Sequence, residues 1–116
     1  MKIEFEKRPR IFNVNGIDFK DFGKIILAEN EMVSLLSATD REIDITSKSW
    51  GYYLGQSLNA RLADEGYKAA LVLNQYNKIF IMIVDKTKMG EFKSYLRDNQ
   101  NNRILCWLDE WFQDKL

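Results

Sequence analysis

Residues 49–61 (SWGYYLGQSLNAR) concentrate more ligand-binding chemistry than any other stretch of the chain. Trp50, Tyr52 and Tyr53 offer flat apolar walls with polar rims. Gly51 and Gly55 let a ligand approach the backbone, because no Cβ stands in the way. Leu54, Leu58 and Leu62 recur every fourth residue, which predicts a helix over 57–65. Backbone N–H groups at a helix start attract anions. Arg61, one turn in, has the planar fork that grips a carboxylate or phosphate. Trp50, Tyr52, Tyr53, Asn59 and Arg61 are therefore the candidate ligand-binding residues, and a small anion is the ligand class. A competing reading uses the same residues differently: Trp50 and Tyr53 fill the core, and Arg61 pairs with Asp64 or Glu65.

Catalytic chemistry has much less to work with. The chain has no histidine, so the commonest general base near neutral pH is missing, with every Ser-His and Cys-His pair. A single cysteine, Cys106, cannot build a zinc site. Neither the P-loop nor the dinucleotide-binding glycine pattern occurs. Asp44, Asp85, Asp109 and Glu110 remain as carboxylates for acid–base work, although strand-end and tail carboxylates are usually solvated. The expectation is no catalytic residue, no metal and no cofactor.

A second group of residues fits contact with a macromolecule. Ile79 to Val84 is apolar at every position, the pattern of a strand buried on both faces. Phe80 and Met82 share one of those faces. Aromatics on an open sheet face bind RNA in some split βαβ domains, but the flanking glycine-aromatic-basic pattern is missing, and Phe80 reads better as core. Trp107, Trp111 and Phe112 crowd the end of the sequence, docking on the chain's own core or on a partner; aromatics are favoured interface anchors. Phe80, Met82, Trp107, Trp111 and Phe112 are the candidate interface residues, and self-association is the expected consequence.

The elements that must position these groups can be traced along the chain. Ile3, Phe5 and 11–14 read as short strands separated near Pro9. Asn15-Gly16 predicts a two-residue hairpin turn, since both residues tolerate positive φ. Lys24 to Ala28 reads as a short strand. Met32–Leu36 and Glu42–Thr46 read as a hairpin, with a helix from Asn30 as the alternative for the first arm; Ile43 and Ile45 alternate with Asp44 and Thr46. Gly66 suits the cap after the 57–65 helix, with Tyr67 packed behind it. Ala69–Leu73 and Ile79–Val84 form a second hairpin. Thr87 caps a helix running to Asp98, residues 99–102 form a polar loop, and Arg103–Leu108 is the last strand.

From Ile43 onward the order is β-α-β-β-α-β, which predicts an α+β, ferredoxin-like sheet with both helices on one face. The whole of 1–116 is expected to be one domain: N-terminal hairpins over 1–42, a core over 43–108 and an aromatic, acidic tail over 109–116. Hydrophobic residues make up 46% of the chain, enough for a core. Lys+Arg and Asp+Glu are both 17, so the basic excess of a nucleic-acid binder is absent. The first ten residues are interrupted by charge and carry no signal-peptide core. No stretch is long and apolar enough for a membrane span, and a lone thiol fits a reducing compartment. These point to the cytoplasm.

Three stretches carry a resemblance: Trp50–Tyr53 with Ser57–Leu62, Gly66–Val72, and Ile104–Glu110. Together they resemble small uncharacterised proteins associated with bacterial surface-polysaccharide and sialic-acid-type sugar gene clusters. The resemblance spans roughly residues 20–110. It implies a bacterial, cytoplasmic accessory role near sugar-nucleotide chemistry, and a sugar nucleotide as one ligand for the 50–61 segment. It carries over no catalytic residue.

Overall fold

Asn15 and Gly16 take φ of +52° and +84°, values for which this residue pair is suited, and they join two long strands. A computed structural model describes residues 1–116, with the side chains of residues 1–98 and 101–116. β1 (Lys2–Val14) and β2 (Ile17–Ile26) pair antiparallel as a two-stranded ribbon. The register breaks between Phe5 and Arg10. The break contains Pro9, which has no N–H to give a ladder. Opposite it, Gly23 has φ +128°, and a Cβ there would overlap the Glu4 carbonyl. At the ribbon tip Phe12 stacks on Phe19 at 5.3 Å, and the Arg10 guanidinium lies 5.0 Å over the Phe12 ring. Asp21 accepts from the Gly23 N–H and from Arg10, and these bonds hold its carboxyl below the usual range.

β3 (Met32–Leu36), β4 (Glu42–Lys48) and β5 (Gly51–Leu54) form a second antiparallel sheet with β4 in the middle. β5 is an addition to the expected elements: Ser47 faces Tyr52 and Ile45 faces Leu54. On β4 Asp44 and Ser47, which lie on opposite faces of the strand, are buried, and Ile43 and Ile45 are half-buried. The Asp44 carboxylate accepts a 2.6 Å hydrogen bond from Ser34 Oγ on the neighbouring strand.

The chain divides into two compact units, Met1–Gly55 and Gln56–Leu116. Every buried apolar side chain among the described residues, from Leu62 to Leu96, belongs to the second. There α1 (Arg61–Asp64) precedes β6 (Tyr67–Leu73) and β7 (Ile79–Asp85). A 3₁₀ turn (Lys86–Lys88), α2 (Met89–Ser94) and a π-helical turn (Tyr95–Gln100) follow without a break. β8 (Arg103–Trp107) and α3 (Leu108–Trp111) complete the unit. Gly66, at φ +87°, closes α1 by donating to the Ala63 carbonyl. The Asp85 carboxylate, rather than Thr87, caps the next helical stretch, accepting from the Thr87 N–H at 2.9 Å and its hydroxyl at 2.7 Å.

The third sheet has the order β7-β6-β8, with β6 central and all pairs antiparallel. Residues 69–73 and 79–84 are paired neighbours, Ala70 facing Met82 and Val72 facing Phe80. Ala70, Val72 and Leu96 form the core, with Met82, Phe92, Tyr95, Ile104 and Trp107 packed against them. The architecture is thus α+β and mainly antiparallel, but the single ferredoxin-like sheet expected over 43–108 is replaced. β4 pairs with β3 and β5, and β6 takes β7 and β8 as its two neighbours. The helix expected over 57–65 contracts to Arg61–Asp64: residues 58–60 form a turn, with the Ala60 and Leu62 N–H groups donating to the Ser57 carbonyl, while Leu54 of the apolar stripe pairs with Ile45 in a strand.

Candidate functional site

The 49–61 segment is built as a turn, a strand and a short helix. Ser49 and Trp50 form the turn between β4 and β5, and Gly51 takes φ +143° where the new strand begins. The rings of Trp50 and Tyr53 stack at 6.2 Å with planes 16° apart. Neither fills a core: Trp50 is 71% exposed, and Tyr52 and Tyr53 are exposed with it. The core-filling alternative therefore fails for these rings. Trp50 sits in the tight turn, and Tyr52 and Tyr53 follow on β5, an edge strand whose one neighbour is β4.

Asn59 and Arg61 belong to the second unit, both exposed, at the start of α1. The Arg61 N–H donates to Ser57 Oγ at 3.0 Å, and the Leu62 N–H donates to the Ser57 carbonyl at 2.9 Å. Ser57 thus occupies donors that an anion would need, and a four-residue helix has little macrodipole to offer. The structure brings together the aromatic pair Trp50–Tyr53 in the first unit.

The carboxylates have structural partners. Asp85 caps a helical turn, as above. Asp109 and Glu110 both hold Lys68, at 3.5 Å and 3.2 Å. Lys68 Nζ also lies 4.7 Å over the Trp107 ring, and Trp107 packs at 6.0 Å against Phe92. This network fastens α3 to the middle of the third sheet. Trp107, the last residue of β8, packs on the core and Phe112 is half-buried, while Trp111 is exposed, with Lys115 Nζ over its ring at 4.7 Å. Among the described residues, no group of three or more His, Cys, Asp or Glu side chains could hold a metal ion.

β7 corrects a further expectation. Val84 is buried and Met82 packs on the core, but Ile79, Phe80 and Ile81 are 59%, 47% and 72% exposed. An apolar strand is buried on both faces only when a layer packs on each face of its sheet, and the exposure of Ile79 and Ile81 shows that one face of β7 is open; β7 is also a sheet edge. Phe80 is therefore surface, not core. Beside β7 lies a cavity of about 630 Å³ that sequence reasoning missed, between the strand and α2, lined by Met82, Val84, Lys88, Glu91, Phe92 and Tyr95. Its apolar wall is Met82 and Val84 from the strand, Phe92 from α2 and Tyr95 from the turn that follows. What reveals it is that α2 covers just one end of the strand. Lys88 and Glu91 pair across its rim at 3.7 Å.

No helix among the described residues is long and apolar enough to cross a membrane. Compared with protein-family models, curated proteins and solved structures, the chain matches none.

Proposed function

We propose that this chain is a non-enzymatic accessory protein that works by protein–protein contact and self-associates. The observation that carries the reading is β7: a strand at a sheet edge, apolar and uncharged from Ile79 to Val84, with Ile79, Phe80 and Ile81 in solvent. An exposed, flat, hydrophobic edge is a template for pairing with another chain. The absence of histidine and the structural duties of Asp85, Asp109 and Glu110 support a role without catalysis. The resemblance of 50–62, 66–72 and 104–110 to proteins of bacterial surface-sugar clusters supports placing that role in the cytoplasm, beside sugar-nucleotide chemistry. Sedimentation velocity at micromolar concentration tests the reading: a dimer or larger species is expected, and a monomer throughout the range refutes it.

A second reading rests on the exposed Trp50–Tyr53 stack. Parallel exposed rings are a platform for a sugar or base face, and a sugar nucleotide is the ligand class. Titration with a nucleotide-sugar panel should quench Trp50 fluorescence, and Trp50→Ala should abolish the response. Absence of any shift across the panel ends this reading.

A further inference from the structure

The open strand edges of this protein are not alike. β1 carries a register break with Pro9, Lys7 and Arg8 inside it. β2 places Lys20, Asp21 and Lys24 along its length. β3 and β5 are short, with five and four residues. β8 has a register shift opposite Leu71/Val72, begins at Arg103 and turns directly into α3. Charge, proline, bulges and brevity are the usual devices that stop edges from pairing. β7 has none of them: its register with β6 is unbroken from Tyr67↔Asp85 to Leu73↔Ile79, and no charge interrupts Ile79–Val84.

We infer that β7 pairs antiparallel with β7 of a second copy, about a two-fold axis at Ile81, so that Phe80 of each copy enters the cavity beside the other's α2. The inference rests on the proposed self-association and names its surface. Three features select this arrangement. The first is charge. Lys78 precedes the apolar run and Asp85 ends it. Antiparallel pairing sets the lysine end of one strand beside the aspartate end of the other, whereas parallel pairing would set like charges together. The second is the two-fold itself. A symmetric antiparallel pair requires one residue to face its own copy, and Ile81, the most exposed residue of the strand, is that residue. The third is shape. With Ile81 at the axis, Phe80 of the second copy stands directly opposite Met82. Paired residues share a sheet face, and Met82 faces the core beneath Phe92 and Tyr95. The incoming ring therefore lies at the mouth of the 630 Å³ cavity that Met82, Phe92 and Tyr95 line. Phe80, half exposed in one chain, becomes an anchor in two, and the three-stranded sheets join as β8-β6-β7-β7-β6-β8.

Cysteine cross-linking reads the register directly. In a Cys106→Ser background, Ile81→Cys should give a disulfide-linked dimer on mild oxidation, because residues facing their own copy fall within disulfide reach. Ile79→Cys should not, since residue 79 would face residue 83. Phe80→Lys should raise the dimer dissociation constant at least tenfold while leaving the far-ultraviolet circular dichroism unchanged. If the wild type is a dimer but Ile81→Cys does not cross-link, or Ile79→Cys links equally well, this interface is wrong and self-association survives through another surface. If Phe80→Lys dimerises as the wild type does, the anchor is overturned. A wild type that stays monomeric, including one that pairs β7 only with a foreign peptide, removes both the interface and the self-association it rests on.

Discussion

Lys68 is the joint between the third sheet and α3, and Lys68→Met isolates its charge. Methionine keeps most of the aliphatic stem that packs along the sheet and removes the ammonium. Three contacts are lost: the ring of Trp107 at 4.7 Å, Glu110 at 3.2 Å and Asp109 at 3.5 Å. The Lys68 side chain is 21% exposed, which puts the cation–π contact between the exposed value of about 0.5–1 kcal/mol and the desolvated value of about 2. Glu110 is mostly solvated and its pair adds only tenths. Asp109 is more enclosed, and its Oδ1 is buried with no hydrogen-bond partner, so removing the nearby cation leaves a carboxylate worse placed than before. The sum is a loss of about 1–2.5 kcal/mol, or roughly 4–10 °C in melting temperature for a chain of this size. Thermal unfolding followed by circular dichroism measures it, with tryptophan fluorescence reporting the freed Trp107. Salt provides an internal check: near 1 M the screening length falls to about 3 Å, so the difference between wild type and variant should shrink. A double-mutant cycle with Trp107→Leu should return a coupling of at least about 0.5 kcal/mol. A loss below that figure, or one indifferent to salt, would show that α3 is held by apolar packing alone.

Two further outcomes test the ribbon. Gly23→Ala must place a methyl group against the Glu4 carbonyl at φ +128°, so strand pairing near Phe5 should be lost, at a cost above about 1–3 kcal/mol; amide hydrogen exchange of β1 and β2 would show it, and unchanged protection would contradict the geometry. Asp21, whose folded carboxyl is held below its ordinary value chiefly by the Gly23 N–H and then by Arg10, contributes stability that is present above about pH 3.9 and fades as pH falls through the folded value; Asp21→Asn should flatten that part of the acid limb, and a carboxyl titrating at the ordinary value by NMR would refute the assignment.

How far the sequence could be read depended on whether a residue's role was local. The β6–β7 pairing followed from two apolar runs around Asn74–Lys78, and the cap at Gly66 from a glycine behind a leucine stripe, because both are settled within a few residues. The antiparallel α+β class followed from such local pairings. Strand order did not, since nothing local in Arg103–Trp107 says that its neighbour is β6. β5 was hidden because Gly51, Tyr52 and Tyr53 read as the lead-in to a helix, and Leu54 fits a helical stripe as well as a strand pair with Ile45. Asp44 was assigned to the solvent side because Ile43 and Ile45 looked like the core pair, and Ser34, which receives it, lies on another strand. The exposure of Phe80 and Ile81 was unreadable for a related reason: an apolar run is the same string of letters in a central strand and at an edge. Of the candidate ligand residues, the stacking of Trp50 on Tyr53 comes from a tight turn that the sequence marks only by Gly51.

The pairing pattern also has a kinetic consequence. Among the described residues, β1–β2, β3–β4, β4–β5 and β6–β7 each join neighbours in the chain across a short turn. β8 alone must return to an earlier strand, and Arg103 lies about 30 residues beyond its partner Leu73, so that closure costs more chain entropy than any hairpin. Folding speed follows such non-local contacts. The hairpins are therefore expected to form early and repeatedly, and the arrival of β8, which completes the packing around Val72 and brings Lys68 under Trp107, sets the rate.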